Sequence, residues 1–304
     1  MVAVIAPWKD TLTSGEHSLI FYSLVIAGLA LLGYLLKTAL SLSEVGTKYR
    51  PAVLASIGIT GIAFVSYVVL VIKFDIGYDP KGSNWVPNSD ALLSWSPRYM
   101  DWSVTVPLLM IELIAVSALT GALARRVRFL GVGGAFAMIF TGYLGGVVID
   151  NGENLGALWL WGVISGLFMV GLYVLILFTV LKTLPGLEAE ARGSYRNAMI
   201  LLMVIWFAYP IAFGLQGFAS GGGRTTAMQV VLSFADIVAK VGFAVLIHKV
   251  AKLRTAQDVN NGTDTHPEAV WMSGVKHSNS IQPSVQAPAV AAPAAQPRFR
   301  RNQK

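Results

Sequence analysis

Lys240 lies near the middle of the apolar stretch TAMQVVLSFADIVAKVGFAVLIHKV (226–250), four residues after Asp236. On a helix, i and i+4 put the amine and the carboxylate on one face, one turn apart. A charge at bilayer depth costs at least about 2.5–3.5 kcal/mol, so it persists only when paired, shielded or chemically used. A desolvated lysine is also a good nucleophile toward carbonyls, the usual origin of a Schiff-base lysine. A structural Asp–Lys pair inside a helical bundle accounts for these two residues equally well. The rest of the chain has to decide.

A second group, RYMDWSVTVPLLMIE, runs from Arg98 to Glu112. Asp101 and Thr105 are one turn apart on one face, which predicts a hydrogen bond from the hydroxyl to the carboxylate. Arg98, nearly a turn before Asp101, is expected to balance its charge. Glu112 lies eleven residues beyond Asp101, which is about 16 Å along the axis and back on a similar face. Two carboxylates at two depths of one helix resemble stations on a proton path. A helix–helix ion-pair network explains Arg98 and Asp101, but explains Glu112 poorly.

Such residues need a membrane scaffold to position them. The chain is 55% hydrophobic and 13% charged, with mean hydropathy +0.61, outside the usual soluble range. Seven apolar stretches, about 18–41, 52–74, 92–118, 126–148, 155–182, 197–219 and 226–250, come near or above the roughly 20 residues that a span requires. Backbone groups in lipid must be satisfied within the segment, so the expected fold is an all-α bundle of seven transmembrane helices. Loops after the odd spans carry Lys48, Arg50, Arg125, Arg126, Arg128, Lys182, Arg192 and Arg196, while those after the even spans are acidic. The positive-inside rule then predicts an outer N-terminus and a cytoplasmic C-terminus in the cell membrane. It also absorbs much of the +7 net charge without a nucleic-acid partner. With no cysteine, disulfides and thiolate metal sites are excluded. The opening MVAVIAPWKDTLTSGEH has no basic region followed by an apolar core, so no cleavable signal is expected. Residues 1–253 are predicted to form the membrane domain. Residues 254–304, polar and then rich in Pro and Ala, are predicted to be a disordered tail whose basic end, RFRRNQK, suits anionic lipid.

RYMDWSVTVPLL, WFAYP (206–210) and DIVAK (236–240) in this order resemble a microbial, or type I, rhodopsin across all seven spans, about residues 15–253. The resemblance implies all-trans retinal bound to Lys240 as a Schiff base. It implies Asp101 as primary proton acceptor and counterion, Asp236 as second counterion, and Arg98 beneath them. Asp101, Thr105 and Glu112 together are similar to the pattern of proteorhodopsin-like outward proton pumps, with Glu112 as donor. The patterns of sodium and chloride pumps do not fit. Trp102, Trp206, Tyr209 and Phe213 fall at helical spacing, and by the family pattern Leu109, Met138, Gly142, Gly162, Ser165, Gly166 and Met169 line the remaining wall. Pro107 and Pro210 interrupt their helices and are plausible hinges. Family habit implies a homo-oligomer, trimer or pentamer, in membrane lipid; the sequence names no transducer.

Four departures from the pump pattern stand out. GIAFVSY (61–67) places Ser66 where a histidine would pair with the acceptor. No carboxylate occurs from Ala212 to Ala235, so early proton release must use water or another outer acid. Gly162 replaces a bulky residue and resembles a window for an antenna carotenoid, although tight helix packing explains it as well. Arg50 lies sixteen residues before Ser66, about 24 Å along the second helix. It is either a snorkelling anchor or, as in cryorhodopsins, a modulator that holds Glu112 ionised. The expected activity is a light-driven outward proton pump, a transporter or photoreceptor rather than an enzyme. A slow photosensory rhodopsin shares every pocket residue. A light-gated channel would need a polar row along a pore, and a non-retinal seven-helix transporter would leave the three motifs unexplained.

Overall fold

The computed structural model describes residues 6–264 and the backbone of a short antiparallel pair, Trp271–Met272 with Val275–Lys276. The architecture is all-α. Helix α1 (Ser14–Leu40) starts where a capping box closes: Thr13 Oγ1 accepts from Glu16 N (3.3 Å), and Glu16 Oε2 accepts from Thr13 N (2.8 Å). Helices α2 (Arg50–Ile76) and α3 (Ser96–Ala115) each carry a proline, Pro51 and Pro97, in the first turn, where the missing N–H costs nothing. Helix α4 is Gly121–Tyr143, and α5 (Leu155–Thr183) is capped by Asn154. The sixth span is split into α6 (Ala189–Trp206) and α7 (Ala208–Phe218). Pro210 explains the split, because it has no N–H to give the Trp206 carbonyl four residues back. The seventh span runs as α8 (Gly222–Ile237), a π turn at Val238–Gly242 that contains Lys240, and α9 (Phe243–Asn260).

Neighbouring spans pack in chain order, and α8 returns to α1 to close a ring. Six of the seven are long and apolar enough to cross a membrane; α3 falls short because Arg98, Asp101 and Glu112 interrupt it. Burial is inverted relative to a soluble protein. Leu29, Val65, Phe129, Leu167 and Phe234 face outward, whereas Arg98, Asp101, Glu112, Asp236 and Lys240 are buried. That is the arrangement of a bundle solvated by lipid, with polar groups turned inward.

Three boundaries differ from expectation. The third span begins at Ser96 rather than near 92, since Ala91–Ser94 form a separate 3₁₀ turn. The loop after α2 holds a hairpin, β2 (Tyr78–Lys81) with β3 (Asn84–Pro87), and β1 (Leu12–Thr13) adds to the β3 edge. Its two-residue turn has Gly82 at φ +66°, a conformation that suits glycine at the first position. The last helix runs to Asn260, seven residues beyond the predicted end at 253. Polar contacts hold those extra turns: Thr255 Oγ1 accepts from Gly46 N (3.0 Å), and Asp258 takes Lys48 Nζ (2.9 Å) and the Tyr49 hydroxyl (2.7 Å). The rest of the predicted tail, including RFRRNQK, lies outside the described residues.

The N-terminal segment is tied to α8 by a buried ion pair between Asp10 and Arg224, with Thr225 Oγ1 donating to Asp10 (2.7 Å). Asp10→Ala takes the carboxylate from both partners in a desolvated site and should cost about 3 kcal/mol, read as a lower Tm. The same loss in an Asp10→Ala, Arg224→Met double variant would show that the charge pairing is not what matters there.

Candidate functional site

Lys240 is buried, and its π turn interrupts the helix at the one residue whose side chain must cross the bundle. Turns of this kind recur at functional positions because they re-aim a side chain. The amine forms a short ion pair with Asp101 Oδ2 from α3 and lies 3.5 Å from Asp236 Oδ2, one turn back on its own span. Both carboxylates predicted to meet Lys240 therefore do so.

Their environments differ. Asp236 is fully buried and accepts three further hydrogen bonds: from the Tyr67 hydroxyl (2.8 Å), the Tyr209 hydroxyl (2.7 Å) and Trp102 Nε1 (3.0 Å). Asp101 has Lys240 on Oδ2 and no partner on Oδ1. One carboxylate is saturated and fixed by three other spans; the other has an open acceptor beside the amine.

One sequence expectation needs correction here. Arg98 does not turn to Asp101. Its guanidinium donates to Gln229 Oε1 (2.7 and 3.2 Å), Ser233 Oγ (3.1 Å) and the Tyr67 hydroxyl (3.0 Å), and it sits 3.8 Å from Asp236. The acceptors on α2 and α8 satisfy the fork better than one carboxylate on its own helix could. Thr105 lies beside the Asp101 carboxylate as expected, and its hydroxyl also donates to the Asp101 backbone carbonyl (3.0 Å), the common back-bond of a helical threonine. Ser66, where a histidine was looked for, bonds the Pro97 carbonyl at 3.2 Å.

A cavity opens beside Lys240. Trp102, Leu109, Met138, Gly142, Gly162, Ser165, Trp206, Tyr209 and Phe213 all line it, as do Arg98 and Asp236. Thus every predicted wall residue is brought to one place. A Cβ on Gly162 would come within 2.7 Å of the Phe213 ring, so the missing side chain there seats Phe213. Tyr209 meets Trp102 edge-on, with ring centroids 5.1 Å apart.

Glu112 is buried away from this cavity, with Oε2 unpartnered and Ser56 of α2 as its near polar neighbour. Arg50 does not reach it: Arg50 Nε donates to the Val45 carbonyl at 3.2 Å. Counting explains the difference. Ser56 lies ten residues from Ser66, about 15 Å, and so is level with Glu112, whereas Arg50 is more than a turn further out. Tyr67, Gln229, Ser233 and Ser56 were all missed in the sequence. Tyr67 ends the GIAFVSY motif, and Gln229 is a polar residue two turns before Asp236, so both were visible as polar interruptions of apolar spans.

A sequence profile of the family described as bacteriorhodopsin-like protein matches residues 17–253. The chain belongs to this family. It is 31% identical over 226 residues to bacteriorhodopsin-I of Haloarcula marismortui, covering 71% of this chain and 83% of that protein. It is 28% identical over 249 residues to sensory rhodopsin-2 of Haloarcula vallismortis, covering 81% and 96%. The fold is similar to that of xanthorhodopsin, a light-driven ion pump with dual chromophore, with TM-score 0.73 and 29% identity over 82% of this chain and 98% of that one. This is a multi-pass membrane rhodopsin, a light-driven pump or photoreceptor and not an enzyme. The site fits the family's retinal: an apolar, aromatic-walled cavity suits a polyene, and the buried amine of Lys240 lines it.

Lys240→Ala removes that amine. Purified with added retinal, the variant should stay colourless in the visible while wild type colours; a normal visible band would remove Lys240 as the attachment site.

Proposed function

We propose that this protein is a light-driven outward proton pump carrying all-trans retinal on Lys240 Nζ. Bound there, retinal supplies light absorption and a change of double-bond geometry next to the lysine nitrogen. The chain's residues determine where the proton goes. Asp101 touches Nζ and keeps Oδ1 open, so it accepts the proton from Nζ. Asp236, with three donors already on it, stays as the fixed countercharge. This asymmetry between the two carboxylates is the observation that carries the reading. Glu112, on the helix of Asp101 but toward the basic loops, returns a proton to Nζ.

Direction follows from the loops. Lys48, Arg125, Arg126 and Arg128 mark the Glu112 end as cytoplasmic, which puts Asp101 on the outer side of Nζ. On the outer side, buried Asp10 is an acid that the sequence reading had not singled out, but its pairing with Arg224 makes it an anchor first. Arg50 bonded to Val45 takes away the clamp that would have favoured a slow sensor. The sensory reading is then supported by the likeness to sensory rhodopsin-2 alone. For an antenna carotenoid, the support is the likeness to a dual-chromophore pump; Phe213 seated on Gly162 speaks for packing there.

Illuminated cells expressing the protein should acidify their medium, and Asp101→Asn should abolish this while moving the visible band to longer wavelength. Continued pumping by that variant would pass the acceptor role to Asp236. Glu112→Gln should slow recovery of the visible band after a flash by at least about tenfold, with added azide restoring it, since a positioned acid is worth about 100-fold or more. Recovery over seconds in the wild type, without acidification, would instead establish the sensor.

A further inference from the structure

Away from the lysine, four of the buried polar atoms without a partner lie in one region. The Tyr34 hydroxyl and Thr38 Oγ1 of α1, Ser56 Oγ of α2 and Glu112 Oε2 of α3 are all buried and all unpartnered. Tyr34 lies beside Thr38, Ser56 and Glu112, and Ser56 lies beside Glu112. Four groups able to donate or accept thus stand near hydrogen-bonding range of one another, with capacity left unfilled. Each orphaned group in a dry interior costs about 1–3 kcal/mol. Bridging water removes that cost, and the region offers the two to four polar partners that a buried water requires.

The same face continues toward the basic loops. His248, two turns past Lys240 on the seventh span, is buried with Nε2 unpartnered. The charged groups around it are Lys252, Glu44 and Lys37. Lys252 is ion-paired with Glu44, and Lys37 Nζ stands 5.3 Å from the centre of the Tyr34 ring. Lys37 thus stands over the tyrosine and within electrostatic range of the histidine, which links the two groups along one side of the bundle.

We propose that protons reach Glu112 along a hydrated seam between α1, α2 and α9, with His248 as its outer relay and Tyr34, Thr38 and Ser56 as its fixed points. This rests on Glu112 as the donor and says where its proton comes from. An excess proton carried by water from the cytoplasmic face binds the free Nε2; the imidazolium gives a proton to bridging water; the water passes it by the Tyr34 hydroxyl to the Glu112 carboxylate. One proton enters and one is delivered, and His248 ends neutral. Tyr34 is a positioning residue here, because it orders the water that meets Glu112. Neither α1 nor His248 takes any part in the retinal cavity.

The test uses the retinal-loaded protein in lipid, with two readouts: recovery of the visible band after a flash, and the carboxyl C=O band of Glu112 in the light-minus-dark infrared spectrum. Glu112→Gln identifies that band by abolishing it. Tyr34→Phe should slow recovery about fivefold, the rate equivalent of one hydrogen bond, and shift the band. A purely structural tyrosine would not move it. His248→Gln should slow recovery by a similar factor, with azide restoring the rate. Tyr22→Phe, on the lipid-facing side of α1, should change neither readout. If Tyr34→Phe does not take up retinal, Thr38→Val carries the same expectation. Slow recovery in Glu112→Gln with unchanged rate and band in Tyr34→Phe and His248→Gln would overturn the seam and leave the donor in place. No effect of Glu112→Gln would remove the donor itself.

Discussion

A lysine amine buried beside two carboxylates is the constraint on which the rest of this bundle depends. Lys240 and Arg98 face Asp101 and Asp236, two formal cations against two formal anions, in an interior with little water to screen them. Removing one member of such a group costs about 3–5 kcal/mol, because its partner is left charged and desolvated. The donors that satisfy Asp236 come from three separate spans: Tyr67 on α2, Trp102 on α3 and Tyr209 on α7. Their convergence fixes the rotation of each helix about its axis. The π turn at Lys240 and the break before Pro210 fit the same demand, since each re-aims a group that a straight helix would carry past the site.

Much of this was legible in the sequence because membrane chemistry is unforgiving. An ionisable residue inside an apolar run has few permitted explanations, so Lys240, Asp236, Asp101 and Glu112 announced themselves. The same economy exposed the seven spans, even α3, whose three charges lower its apolarity. The aromatic wall could be read only with the three motifs, because Trp102, Trp206, Tyr209 and Phe213 at helical spacing look like any packed core. The hairpin Tyr78–Pro87 passed as a loop; four-residue strands give little alternation to detect, and the turn glycine alone is weak.

What escaped the sequence reading was lateral. Axial rise tells how deep a residue lies but not which neighbour it meets, and two placements turned on that. Arg98 was level with Asp101 yet found Gln229, Ser233 and Tyr67 across the bundle. Arg50, for which an anchor and a contact with Glu112 were both open, bonds the Val45 carbonyl, while Ser56, six residues along the same helix, is the residue beside Glu112. In both cases proximity along one axis does not decide contact.

The two ends of the lysine site are built differently, and that difference bears on direction. Toward the acidic loops the charged groups are tied down: Arg98 gives four hydrogen bonds, Asp236 accepts three besides its cations, and Arg224 holds Asp10, although nearby Gln216, Thr226 and Trp95 keep unpartnered polar atoms. A network of multiply bonded charges is rigid and keeps those charges in place. Toward the basic loops, Glu112, Ser56, Tyr34, Thr38 and His248 are buried but short of partners. Such a region gains by admitting water and has several arrangements of similar energy. A transporter needs one side of its active nitrogen to hold charge steadily and the other to open a transient path for a proton. In this chain the helix of Asp101 and Glu112 carries one carboxylate beside fixed charges and the other among under-partnered polar groups, so a single element joins the two environments.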